Sequence, residues 1–381
     1  MNMYQIVLVF IFDLHLSVAL VTPPKQHDSG YKSTTYHPIP CRSDKCNAYR
    51  GRCGNNNTCQ GYAYTHLSKG RYTSQIIEDE IFLYTRPKNS YKVLQYPLPN
   101  FPFGCTIKAP LKGLSANAEG ILTLGKVDMA LHSLISKTFK VPHKFALCLP
   151  STNTILYKGF QGALYFGGGP YRMSKENRID FSKFLVTTPI VPNPKSKNHK
   201  SIEYFIDVKS IEIEGTPLKL DNKNIVATTK ISTLTPYTML HTKIYEGLKN
   251  AFTTKAKAMG IPRVEAVAPF GACYNSSHIA NVTSGPKVPT IDFVLEGNNK
   301  RWRLYGPNLM VKLFDIKYID VLCLGIVDGG TMTTNLIVIG GKQMEDNIVE
   351  FDLEGSKVGF SSTPTSMGLS CSQFQSTLPT F

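Results

Sequence analysis

The sequence predicts an all-β protein, mainly antiparallel with few short helices, arranged as two lobes. Three observations point that way. Short apolar or alternating runs recur and are closed by glycine: 204–213 ends at Glu214-Gly215, 163–166 at Gly167-Gly168-Gly169-Pro170, and 336–339 at Gly340-Gly341. The composition is rich in turn formers and strand-forming aromatics, with 29 Gly, 24 Pro, 19 Tyr and 20 Phe. The chain of 381 residues is also more than twice a usual single domain. An apolar share of 42% against 18% charged residues supports a large core and excludes a disordered chain.

Taken in order, residues 1–19 read as a secretory signal, with the apolar stretch 6–12 and small residues Ser17-Val18-Ala19 ahead of a cleavage point. No Lys or Arg precedes the stretch, and Asp13 and His15 interrupt it, so a buried N-terminal strand is the competing reading. No apolar run is long enough for a membrane-spanning helix, and an integral membrane protein is not expected. A first lobe is expected over 20–186. Residues 187–200, with three prolines and four basic side chains, form a linker, and 201–381 a second lobe. Helices are expected at 131–139 and at 242–259, where Ile244, Leu248, Phe252 and Ala256 recur every four residues before Gly260 and Pro262. The run 348–353 alternates as a strand.

Nine cysteines stand at 41, 46, 53, 59, 105, 148, 273, 323 and 371, the first four within nineteen residues. Their spacing lacks paired metal-ligand motifs, so disulfides are expected and no metal, and the odd count leaves one thiol over. Sequons at Asn56, Asn275 and Asn281 fit a glycosylated secreted chain. No phosphate loop, dinucleotide motif or metalloprotease motif occurs, and no cofactor is expected. Asp28-Ser29-Gly30 has the composition of an aspartic-protease turn. Its flanks, Lys25-Gln26-His27 and Tyr31-Lys32, are polar, which makes Asp28 a turn residue. The formal charge of +15 comes from dispersed basic residues, dense only at 195–200 and 300–303, without the interleaved aromatics of a nucleic-acid platform. An acidic polysaccharide or acidic enzyme is the expected partner class, and nucleic acid is not.

From Asp28 to Phe374 the chain resembles the plant pepsin-like inhibitor family: xylanase inhibitors, xyloglucan-endoglucanase inhibitors, extracellular dermal glycoproteins and basic 7S globulins. STTYHPIPC, KFALCL, YFIDVKSIEI, TKISTLTPYTML, RVEAVAPFGACY, VLCLGIVDGG and IVIGGKQMEDNIVEFDLEGSKVGFSS carry the resemblance. It implies a bilobal pepsin-like aspartic-protease fold with an incomplete N-lobe, because the family's first strands and first Asp-containing turn do not align. The family cysteine that pairs with Cys105 falls at His27, so Cys105 is the expected free thiol. The remaining pairs implied are Cys41–Cys59, Cys46–Cys53, Cys148–Cys371 and Cys273–Cys323.

At the second catalytic turn the resemblance places Val226 where an active protease has aspartate. Without two carboxylates there is no shared proton and no activated water, so no catalytic residue is assigned. Inhibiting relatives use basic side chains on two C-lobe loops, here 276–286 and 330–336. Those arginine positions fall at Thr283 and Thr334, with Lys287 and Lys342 as partial substitutes. Thr283 also completes the Asn281 sequon, so a glycan there would crowd the loop. The resemblance implies a secreted, apoplastic pseudoenzyme that inhibits endoglucanases or xylanases weakly. A storage or cell-wall-binding glycoprotein and a retained aspartic endopeptidase are its alternatives.

Overall fold

The computed structural model describes residues 6–11, 34–49, 51–64, 71–85, 94–104, 122–151, 161–172, 179–193, 201–219, 227–313, 321–331 and 336–371. Asp28, Cys105, Val226, Thr334 and the basic run 195–200 lie outside the described residues. The chain forms two compact units, one of Met1–Ile11 with Pro142–Ser376, the other of Phe12–Val141 with Thr377–Phe381.

In the smaller unit Arg71–Thr85 is the central strand, flanked by His37–Pro38, Cys59–Tyr64 and the long partner Leu94–Gly104. Ile77, Ile81, Leu83, Leu98 and Phe101 are buried, while Phe82 is 43% exposed, the alternation of a half-buried strand. A second cluster gathers Ile39, Cys46, Cys59 and Ile76. The helix Leu131–Phe139 buries Leu131 and Ile135 and sets Phe139 edge-on against Tyr96 at 6.0 Å. The local disulfides differ from the expected Cys41–Cys59 and Cys46–Cys53: they join Cys41 to Cys53 and Cys46 to Cys59. Side-chain direction decides this. Cys46, on the helix Asp44–Ala48, and Cys59 both point into the core, whereas Cys41 and Cys53 lie nearer the surface.

In the larger unit, one sheet takes the order Ile6–Ile11, Gln161–Phe166, Lys144–Cys148, Ile348–Asp352, Lys357–Phe360, Val186–Pro189, antiparallel throughout. The unit boundary therefore falls after Val141 and not at 187–200. Strands from before and after the expected linker hydrogen-bond to each other, and those ladders outweigh chain order. Ile6–Ile11, inside the segment read as a signal, is an edge strand on Gln161–Phe166. Asp352 opposes Lys144 on one side and Lys357 on the other and ion-pairs with both, at 2.8 and 3.6 Å.

The second sheet runs Arg301–Leu304, Ile291–Leu295, Tyr204–Ile213, Ala227–Ile231, Ile337–Ile339, Thr238–Leu240, Ile326–Asp328. The helix Thr242–Ala258 buries Ile244, Leu248, Phe252 and Ala256, the predicted stripe. Cys148–Cys371 and Cys273–Cys323 tie this unit, the latter across directly opposed strand residues. Trp302 is fully buried and stacks on Phe360 at 4.3 Å, while Arg301 and Arg303 beside it point outward, as strand alternation requires.

Candidate functional site

Two places carry the sequence-predicted chemistry: the strand that follows position 226, and the loops that hold Thr283 and Thr334. Ala227–Ile231 runs parallel to Ile337–Ile339, which also pairs antiparallel with Thr238–Leu240. Gly340 ends that middle strand because a side chain there would meet the Tyr237 carbonyl carbon at 2.4 Å. Its N–H donates to the Thr238 hydroxyl, and the Gln343 amide oxygen accepts from the Thr238 N–H at 2.8 Å. The described strand reads Ala-Thr-Thr-Lys-Ile and holds no carboxylate. Thr228 donates to Asp207, Thr229 is buried, and Lys230 ion-pairs with Glu203.

The first loop is a short hairpin, Asn281–Val282 with Gly285–Pro286. Thr283 sits exposed in its turn, and the Lys287 N–H closes the base on the Ala280 carbonyl at 2.8 Å while its side chain is exposed. The hairpin rests on a distant turn: a methyl on Gly368, whose φ is +68°, would stand 2.6 Å from the Thr283 carbonyl oxygen. No sequence signal marks this contact. The ends of the second loop are pinned at the start of the long helix. The Gly330 carbonyl accepts from the Thr242 N–H, Asp328 accepts from the Thr242 hydroxyl at 2.7 Å, and the Leu336 carbonyl accepts from the His241 N–H.

Lys342 cannot stand in for a missing arginine. It is 2% exposed and bonded to Glu345 at 2.7 Å. The basic run 300–303 is likewise committed. Arg301 is bidentate on Glu212 and Arg303 on Asp292, and Lys300 donates to the Thr187 carbonyl. Among the sequons, Asn56 and Asn281 are exposed, whereas Asn275 is half-buried and its amide oxygen accepts from the Ser277 N–H and hydroxyl.

Comparison with known proteins decides the family. The Xylanase inhibitor N-terminal model matches residues 11–168 and the Xylanase inhibitor C-terminal model residues 203–362. The chain belongs to the xylanase-inhibitor family. Within this family, the "Probable aspartic proteinase GIP2" of Nicotiana benthamiana is 36% identical, over 92% of this chain and 82% of that one. The "Basic 7S globulin 2" of Glycine max is 29% identical, over 90% and 79%. Among solved structures, "Crystal structure of edgp" superposes with a TM-score of 0.79 at 34% identity, covering 91% of this chain and 87% of that one. The soybean basic 7S globulin structure does so with 0.73 at 27%, covering 92% and 87%. The mostly antiparallel, pepsin-like fold is thus shared across family members with very different names.

Proposed function

We propose that this chain is a secreted, non-catalytic member of the xylanase-inhibitor family that engages secreted endoglucanases or xylanases in the plant apoplast through the 281–286 hairpin and the 330–336 loop, and engages them weakly. One observation carries the reading: the Asn281–Pro286 hairpin presents Thr283, and no arginine, exposed in its turn. An arginine would fork onto a catalytic carboxylate, and truncating such an anchor typically weakens an interface by about 2–5 kcal/mol. Affinity is therefore expected at roughly micromolar or poorer. Titration of fungal xylanases and xyloglucanases checks this, and nanomolar inhibition by the unmodified chain would overturn it. Thr283→Arg with Thr334→Arg is expected to tighten binding at least about tenfold. Because Thr283→Arg also destroys the Asn281 sequon, Asn281→Gln is the control that separates charge from glycan removal.

A second reading, a storage or wall-binding glycoprotein, is favoured by the basic 7S globulin and "Gamma conglutin 1" relatives together with the net charge of +15. No gain in the double arginine variant would move the balance to it. Aspartic endopeptidase, which two relatives' names suggest, is opposed by Val226 at the position that the resemblance gives to the second catalytic aspartate. Pepstatin-sensitive proteolysis at acid pH would restore it.

Secretion and the thiol complete the proposal. Removal of residues 1–19 would leave Leu20 as the first residue and strip Ile6–Ile11 from the edge of its sheet. Amino-terminal sequencing of the secreted chain distinguishes cleavage from retention. Cys105 is the thiol we expect to stay unpaired: iodoacetamide on the unfolded, oxidised monomer should label that residue alone. A disulfide-linked dimer through Cys105 would contradict it.

A further inference from the structure

One carboxylate holds the chain segment that backs the candidate hairpin. Asp346 follows the short helix Gly341–Met344 with φ +52° and is only 6% exposed. Its Oδ1 accepts from the Ser370 hydroxyl at 2.7 Å and from the Cys371 N–H at 2.8 Å. Its carbonyl accepts from the Thr365 hydroxyl at 3.0 Å, and its own N–H donates to the Leu149 carbonyl. A single residue thus grips residues 363–371 near both ends, and the disulfide from Cys371 to Cys148 fixes the far end covalently. Between those grips lies the turn of Met367 and Gly368, on which the Thr283 carbonyl rests. Val282 and Met367, on the two abutting loops, are each 45% exposed.

The burial of Asp346 disfavours its ionised form. Burial pushes its carboxyl up to about 7, and the neighbouring Glu345 adds to the rise. The Ser370 and Cys371 hydrogen bonds and the Lys342 ammonium oppose it, but that ammonium lies 2.7 Å from Glu345 and is committed there. The folded value stands above the unfolded one, near 4. The site therefore stabilises the closed segment in acid, and that stabilisation is lost as pH rises through the folded value.

We propose that Asp346 is a pH-sensitive latch: protonated, it clamps residues 363–371 beneath the Thr283 hairpin, and ionised, it lets the segment open between its anchored ends so that the hairpin loses its support. Opening admits water to the carboxylate, which the closed site excludes. The latch goes beyond the glycanase reading and is measured on the free chain, so either can fail without the other.

Hydrogen exchange of the 367–371 amides, corrected for intrinsic rates, tests it. Between the unfolded value near 4 and the folded value near 7, the closed state should lose about tenfold in weight per pH unit, and little more above it. The native chain should therefore lose about a hundredfold in protection between pH 5 and pH 8, most of it below pH 7. Asp346→Asn keeps the Oδ1 acceptor, and asparagine tolerates the positive φ, so its protection should stay flat over that range. Ser370→Ala should lower protection at both pH values while the pH step persists. An unchanged step in Asp346→Asn, no step in the native chain, or full protection in Ser370→Ala would each overturn the latch.

Discussion

In the smaller unit both disulfides close short loops, joining residues 12 and 13 positions apart, whereas in the larger unit they join residues 50 and 223 positions apart. The loop-closure argument assigns about 3 kcal/mol to each short staple, and about 4 and about 5 kcal/mol to the long ones. The larger unit stacks Trp302 on Phe360 and Phe145 on Phe351, while the smaller unit's second cluster sets Ile39 and Ile76 around Cys46 and Cys59. The small unit is therefore organised by local covalent links and the large one by ladders between distant parts of the chain, which pay their loop entropy in the fold itself.

Breaking the staples tests that contrast most strongly. Cys148→Ser with Cys371→Ser should destabilise the larger unit by about 5 kcal/mol, and Cys46→Ser with Cys59→Ser the smaller by about 3. Urea unfolding followed by hydrogen exchange on peptides from each unit measures both, and equal losses would show that loop length is not the governing variable. Next in size is the cross-strand triad of the larger unit. Burial alone would raise the Asp352 carboxyl, but the hydrogen bonds from Lys144 and Gly355 and the charges of Lys144 and Lys357 hold it below its ordinary value. Its folded value lies under the unfolded one, so the stabilisation is present above about pH 4 and lost as pH falls through the folded value. Asp352→Asn should lower stability by about 2 kcal/mol at pH 6, with the gap to the native chain closing in strong acid. A gap that stays constant with pH would assign the loss to packing. Smallest is Lys137→Ala in the smaller unit. Its partner Asp128 is 91% exposed, and no shift in melting temperature is expected.

Where a pattern is local, the sequence carried it. The four-residue recurrence of Ile244, Leu248, Phe252 and Ala256 gave the helix Thr242–Ala258, and the alternation of 204–213 gave the strand Tyr204–Ile213. The Gly-Gly stop after Ile337–Ile339 was legible too, and the structure adds its cause in the close approach of Tyr237. Four cysteines in a short loop admit three pairings, and spacing does not say which side chains face the core, so Cys41–Cys53 had to be seen. The unit boundary was hidden for a similar reason: Lys144 meets Asp352 across most of the larger unit's sequence. At the candidate site, Thr283 was found through resemblance, but Gly368 and Asp346 were not. Their roles exist only through contacts between distant residues, and neither belongs to a motif with its own chemistry.

Trp302 is the chain's one tryptophan, it is fully enclosed, and its indole N–H has no hydrogen-bond partner among the described residues. An indole in so dry and apolar a setting emits at short wavelength, and exposure to water moves the emission to the red. Because it lies in the larger unit, emission excited at wavelengths that tyrosine does not absorb reports on that unit. The protein thus carries a built-in optical label for the part of the larger unit that encloses Trp302.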